Sequence, residues 1–253
     1  MTGLSQTQLP NGYRALVVGA TGGLGAAFCQ HLSTDPRAGA VFAASRSGAD
    51  MAGAKGLVLD LDRPETIATC LDAAHAELGL HMVIVATGIL HDENGLQPER
   101  SWRALEASAL MEVFRINTIL PALVARESLT VLADTSRKEK SRVIFSALSA
   151  RVGSISDNQL GGWHSYRASK AALNQLIKTF SIELQRKAPL ACCVGLHPGT
   201  VDTALSKPFQ RGVPDGKLFD AAFSAGQLLS VLDQVDPSQS GQVFDWAGKP
   251  IPA

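Results

Sequence analysis

The sequence has no excess of either charge: 23 Lys and Arg stand against 23 Asp and Glu over 253 residues. No global field gathers nucleic acid or an anionic membrane surface, so neither is expected as a partner. No run approaches eighteen consecutive apolar residues, and the stretch from Met1 to Asn11 is polar, without an apolar core or cleavage pattern. Neither a membrane span nor an export signal is therefore expected. Cysteine is scarce: Cys29, Cys70, Cys192 and Cys193 show no C-x-x-C spacing, and the last two fall in an apolar run that reads as a buried strand. That pattern points to core thiols rather than a disulfide framework or a metal site, and a soluble, cytoplasmic protein is expected. Internal repeats and linkers are also missing. With 45% hydrophobic residues the chain can bury one large core, and a single domain over 1–253 is expected.

What is present is a regular alternation of short apolar runs and helical patterns. Arg14 to Val18 reads as a strand, followed by Gly19-Ala20-Thr21-Gly22-Gly23-Leu24-Gly25 and a helix-like segment from Ala26 to Leu32. Strand, glycine-rich turn and helix start form a phosphate cradle, because glycine lets the backbone approach closely and the helix N-H groups and dipole hold negative charge. A tight turn alone also needs glycine. The second strand, Val41 to Ala44, ends in Ser45-Arg46. A dinucleotide fold that uses NAD places an acidic residue near this strand end, whereas Arg46 can accommodate a 2'-phosphate, unless it is an ordinary surface arginine.

Further strands are expected at Gly56 to Leu59, running into Asp60-Leu61-Asp62 as an edge for the adenine, and at His81 to Ala86, running into Thr87-Gly88. Asp62 could equally cap the helix Pro64 to Glu77. A long helix is expected from Glu99 through Leu132, with Asn117 either a helix-bending core amide or a site residue. Strands follow at Arg142 to Leu148 and Leu190 to Leu196, then a Pro/Gly-punctuated loop from Ala204 to Lys217 suited to a substrate lid. A helix from Ala221 to Val235 and a strand from Gln242 to Trp246 complete the chain. The alternation predicts an α/β fold, one doubly wound parallel Rossmann sheet with helices on both faces. Ligands of such sheets sit at the carboxyl ends of the strands, where Gly19, Arg46, Asp60, Gly88, Ser149 and Pro198 fall.

Tyr166-Arg167-Ala168-Ser169-Lys170 opens the helix between the fifth and sixth strands, so Tyr166 and Lys170 share one face a turn apart. A free phenol titrates near ~10, and a nearby ammonium lowers that value and makes the phenol a usable acid or base at neutral pH. The plain alternative is a tyrosine packed on a helix flank with its lysine in water.

These motifs, in this order, resemble the short-chain dehydrogenase/reductases over nearly the whole chain. Gly19 to Gly25 is similar to the family's cofactor turn, Tyr166 to Lys170 to its Y-x-x-x-K, and His197-Pro198-Gly199-Thr200-Val201-Asp202-Thr203 to its nicotinamide-side P-G-x-x-x-T. The run from Ser149 to Lys170 resembles the C-factor-like proteins and sniffer-type carbonyl reductases.

The resemblance implies an NADP(H)-dependent oxidoreductase acting on a small-molecule carbonyl or alcohol, of the carbonyl reductase type. In that reading Tyr166 is the general acid/base, Lys170 also holds the ribose, and Asn117 lies in the proton path. Gly19, Thr21, Gly22, Gly23, Leu24, Gly25, Ser45, Arg46, Asp60, Leu61, Ala86, Thr87, Gly88, Pro198, Gly199, Val201 and Thr203 join Tyr166 and Lys170 around the cofactor. A homodimer or homotetramer is implied as well. Two departures stand out. Val85-Ala86-Thr87-Gly88 replaces the family's N-N-A-G. Ser149 and Ala150 occupy the two positions of which the second usually carries the substrate-orienting hydroxyl, leaving Ser149 as the candidate ahead of Ser146 and Ser154. The alternative function is a C-factor-like nucleotide-binding signalling protein with little or no turnover.

Overall fold

The computed structural model describes residues 9–76 and 79–253. The expectations for Met1 to Gln8, and for a helix end at Glu77, lie outside the described residues. Ten strands and six α-helices are described: β1 (Tyr13–Val18), α1 (Gly23–Thr34), β2 (Ala38–Ser45), β3 (Lys55–Val58), α2 (Glu65–His75), β4 (Met82–Val85), α3 (Ala107–Phe114) and α4 (Leu120–Glu139). After them come β5 (Val143–Leu148), α5 (His164–Lys187), β6 (Ala191–His197), β7 (Thr200–Val201), β8 (Leu218–Phe219), α6 (Ala221–Gln234), β9 (Val243–Asp245) and β10 (Pro250–Ile251).

Eight strands form the main sheet in the order β10-β9-β6-β5-β4-β1-β2-β3. Alternate residues of a strand face opposite ways. Ala15 and Val17 of β1 join the cluster under α1 and α6, while Leu16 and Val18 join the one under α2, α4 and α5. Burial on both faces is why these strands read as nearly unbroken apolar runs. All four cysteines are free and buried, split between the two clusters.

Three elements differ from the expectation. The last strand is two: β9 runs parallel to β6, and β10 turns back antiparallel to β9, so the sheet is mostly rather than wholly parallel. The long helix expected from Glu99 begins only at Ala107 and is interrupted by a π turn at Arg115–Ile119, between α3 and α4. Pro121 has no N-H to close an α bond onto the carbonyl of Asn117, and the chain widens there. Asp62 does not cap α2, whose N-cap is Pro64 without a side-chain acceptor; its carboxylate accepts from Arg115 Nη1 at 2.6 Å instead.

One buried cation ties α6 to the sheet. Arg142, just ahead of β5, donates to the carbonyls of Leu232 and Val235 at 2.6 Å each and to Asp233 O at 3.1 Å. It fills the electronegative end of a helix with a guanidinium. Replacing Arg142 with Met, which keeps the bulk and orphans these carbonyls, is expected to cost about 3 kcal/mol. For a domain this size that loss is a drop of roughly 6–12 °C in melting temperature. Thermal unfolding of the variant measures it, and an unchanged midpoint would contradict the assignment.

Candidate active site

The strand order reverses between the parallel neighbours β1 and β4, because β2 and β3 extend the sheet to one side and β4 starts the other. Crevices form where the order reverses. Here the turn after β1 meets the turn after β4. Gly19 has φ of +83°, and a Cβ on it would come within 2.8 Å of Thr87 Cγ2. A Cβ on Gly25 would lie 2.1 Å from the carbonyl oxygen of Gly19. Both positions therefore require glycine for the turn to fold back on itself.

Three connected cavities line this edge. The first, about 570 Å³, is walled by Gly19, Thr21, Ser45, Arg46, Asp60 and Leu61. Over Ala86, Thr87 and Gly88 it continues into a second, about 340 Å³, which holds Gly22, Gly23, Leu24, Ser149, Tyr166 and Lys170. Pro198 and Thr203 border both the second and a third of about 220 Å³, where Gly199 and Val201 also lie. Of the expected residues, Gly25 and Asn117 do not reach these walls. A larger cleft of about 860 Å³ meets the first cavity at Asp92, Asn94 and Glu112 and the third at Trp163 and Phe209, and holds none of the expected site residues.

The first two cavities fit a phosphorylated dinucleotide. The N-terminus of α1 has no side-chain cap and no acidic residue in its first turn, leaving its N-H groups and dipole for an anion. Thr87 Oγ1 is buried at the junction without a partner among the described residues. Arg46 is exposed and makes no ion pair among the described residues. Asp60 is less free. Its carboxylate accepts from Asp62 N and Arg63 Nε at 3.1 Å each, contacts that hold it below the usual carboxylate range.

Tyr166 and Lys170 are both buried, at 8% and 2% exposure. Lys170 Nζ donates to the carbonyl of Leu148, at the end of β5, at 2.8 Å, and lies 5.7 Å from the centre of the Tyr166 ring. The expected lowering of the tyrosine is not what this geometry gives. Burial pushes Tyr166 up to about 12 and pulls Lys170 down to about 7. Desolvation acts on both groups in the direction of the neutral form.

The loop lacking the family's two asparagines is held from outside. Asn117, fully buried in the π turn, accepts from Ile89 N at 2.8 Å and donates through Nδ2 to Ile89 O at 2.9 Å and Ser169 Oγ at 3.2 Å. Ser169 Oγ in turn donates to the carbonyl of Tyr166 at 2.8 Å. Asn117 therefore clamps the β4 loop to the tyrosine's own helix turn.

Ser149 borders the second and third cavities, and its hydroxyl lies 2.6 Å from Asn174 Oδ1. Ser146 is fully buried in β5, and Ser154 bonds Asp157 N and Ala253 O; neither reaches the cavities.

One brace was not legible in the sequence, where Glu99 stood as the first residue of a helix. It is buried, its carboxylate accepts from the N-H and hydroxyl of Ser165, and its own carbonyl accepts from Trp163 N at 2.6 Å. The carboxylate caps α5 one residue before Tyr166, where the dipole favours negative charge. It comes from 66 positions away in sequence, so no local capping pattern could reveal it.

Fold and edge together define the Rossmann-type α/β class of oxidoreductases. More narrowly, residues 13–213 match the short chain dehydrogenase family model, and the chain belongs to that family. It is 32% identical over 154 residues to the C-signal protein of Myxococcus xanthus, covering 60% of this chain and 84% of that one. The NADPH-bound carbonyl reductase from chicken fatty liver superposes with a TM-score of 0.81 at 25% identity, over 100% of both chains. The carbonyl reductase Sniffer of D. melanogaster does so at 0.81 and 23% identity, over 96% of this chain and 100% of that one.

Lys170 makes the stability of the nucleotide-free protein depend on pH. The unfolded chain keeps this proton up to about 10.5, while the fold releases it near 7. Between those values the unfolded state binds more protons, and stability rises with pH. The parent is expected to gain up to about 1.4 kcal/mol per pH unit between pH 7.5 and 9.5 relative to Lys170→Met. Parallel urea titrations of the two proteins test it; identical pH slopes would contradict a desolvated lysine.

Proposed function

We propose that the protein is an NADP(H)-dependent reductase of carbonyl compounds, or a dehydrogenase of the corresponding secondary alcohols, acting as one domain over 1–253. The observation that carries this reading is the convergence of Tyr166, Lys170 and Ser149 on one cavity that continues into a cradle ending at the unpaired Arg46. The two reductase neighbours support it. In this reading the bound nicotinamide, when reduced, supplies a hydride to the carbonyl carbon. The turn from Gly19 to Gly25 and the α1 N-terminus hold the pyrophosphate, Arg46 holds the 2'-phosphate, and Lys170 holds the ribose.

Tyr166 Oη donates the proton to the developing alkoxide. A phenol held near 12 carries that proton throughout the neutral range. Ser149 orients the carbonyl oxygen. Its 2.6 Å contact with Asn174 is served equally by either orientation of the amide. With the amide nitrogen turned towards Ser149, the serine proton is free for the substrate. A regulatory role without turnover has less support, because it leaves the burial of Lys170 beside Tyr166 without a use. Copies pair through α4 and α5, where the exposed Ile119, at the end of the π turn leading into α4, and Ile182 of α5 suit an apolar contact.

Two substitutions test this function. Tyr166→Phe is expected to lower kcat/KM roughly 10²–10⁴-fold in an NADPH-oxidation screen of aldehydes, ketones and quinones. NADPH should still raise the melting temperature of that variant. A Tyr166→Phe enzyme as fast as its parent sinks the acid assignment. Arg46→Asp is expected to weaken NADPH binding by roughly tenfold or more and leave NADH nearly unaffected. Equal losses for both nucleotides would remove Arg46 from the 2'-phosphate.

A further inference from the structure

The third cavity contains a polar group that the proposed reaction does not use. Its walls near Tyr166 are apolar and aromatic: Trp163 packs edge-on against Tyr166 at 6.2 Å between ring centres, and Phe209 against Trp163 at 5.2 Å. Arg151 reaches the same wall, but its guanidinium is already paired, with Asp157 at 3.2 Å and Asp245 at 3.4 Å. An anionic substrate would have to displace one of those carboxylates. Thr200, Thr203 and Ser206 line the cavity as well, the last two with their hydroxyls donating to the Val201 carbonyl, and the polar ring left over is His197, the last residue of β6. It is half-buried, its Nδ1 is enclosed without a partner, and neither ring nitrogen has a hydrogen-bond partner among the described residues.

Its position relates it to the carbonyl end. Leu148 pairs with Leu196, and Ser149 N donates to Leu196 O at 2.7 Å. Ser149 and His197 therefore leave adjacent strands side by side, about 4.8 Å apart as strand spacing requires. Ala150, in the next position along the β5 edge, adds no polar atom to the wall.

Resting on the reductase reading above, we propose that His197 forms a second polar subsite beside the carbonyl position, and that the substrate is an uncharged ketone or aldehyde carrying a hydroxyl next to the reacting carbonyl. Ser149 takes the carbonyl oxygen and His197 takes the hydroxyl. Burial, with Arg151 second and against the opposing pull of Asp245, brings His197 down to about 4, so the ring is neutral in use. A neutral imidazole has one donor and one acceptor nitrogen, and which is which depends on the tautomer. A hydroxyl can pair with either, and a carbonyl oxygen or an ammonium with only one. The reaction then consumes the hydroxyketone, one NADPH and one proton, and yields the vicinal diol and NADP⁺. The C=O π bond breaks as hydride adds to carbon and the Tyr166 proton to oxygen.

A pair of probes differing by that hydroxyl, 2-hydroxyacetophenone and acetophenone, tests the subsite. Both kcat/KM with NADPH and dissociation constants on the NADP⁺-loaded protein are measured for the parent, His197→Phe and His197→Gln. The parent is expected to favour the hydroxyketone about tenfold more than His197→Phe does, in both readouts, with part of the preference restored in His197→Gln. The phenylalanine variant keeps a ring of similar size, and its thermal unfolding shows whether it folds. Should it not fold, the parent-to-Gln comparison stands in, with an expected smaller loss of preference. Equal preference in all three proteins, or no binding of either ketone, overturns the inference. Selective binding without NADPH oxidation leaves the subsite standing and fells the reductase reading, whereas turnover without selectivity does the reverse.

Discussion

A primary amine kept out of water is the constraint around which this edge is built. Lys170 sits 2% exposed under the strand ends, with the Leu148 carbonyl 2.8 Å from its nitrogen. Burying a group that prefers to be charged costs free energy, so the fold holds it there by over-determining its surroundings. α5 is fixed at its start by Glu99 through Ser165, beside Tyr166 by the Asn117 and Ser169 bonds, and across its first turn by Arg167, which donates to the carbonyls of Gly162 and Val152. A helix so restrained has little freedom to swing its amine out to solvent. The same restraints fix the phenol of Tyr166 relative to the cavity.

Asn117 shows how a departure from the family pattern is accommodated by the rest of the fold. The turn after β4 carries Ala86-Thr87-Gly88 without amide side chains. A Cβ on Gly88 would sit 3.6 Å from Asn117 Oδ1 and 3.8 Å from Lys170 Nζ, so the backbone there lies directly against both. Asn117 reaches into this contact from a π turn, and the widened backbone is what aims its amide at Ile89 and Ser169 rather than along its own helix. The helix irregularity and the rigidity of the β4 loop are thus one feature.

The sequence made the glycine turn, the Tyr-Lys spacing, the Pro-Gly loop and the order of strands legible, because each is written in neighbouring residues. Periodicity and turn chemistry act over a few positions, and so do the signals that report them. What escaped were links between distant positions: Glu99 to Ser165, Asn117 to Ile89, Arg142 to the carbonyls at the end of α6. The direction of the Tyr166 shift escaped for a related reason. Spacing showed that an ammonium would be near, but the depth of burial decides which term prevails, and depth follows from packing across both faces of the sheet. The antiparallel return of β10 was hidden too, since two residues carry no period.

The two pKa directions together bear on which way the proposed chemistry is poised. A phenol near 12 holds its proton at neutral pH, which is the state a carbonyl reduction must start from. Alcohol oxidation would have to start from the phenolate, which the same burial disfavours. An amine near 7 is charged in about half of the molecules at neutral pH and can regain charge when an anion forms beside it. Loss of the tyrosine proton creates such an anion on the neighbouring turn. In the proposed reaction the two are coupled: proton donation leaves a phenolate on Tyr166, and Lys170, already protonated in part of the molecules and taking a proton from solvent in the rest, supplies the opposite charge where attraction in a dry site is strongest.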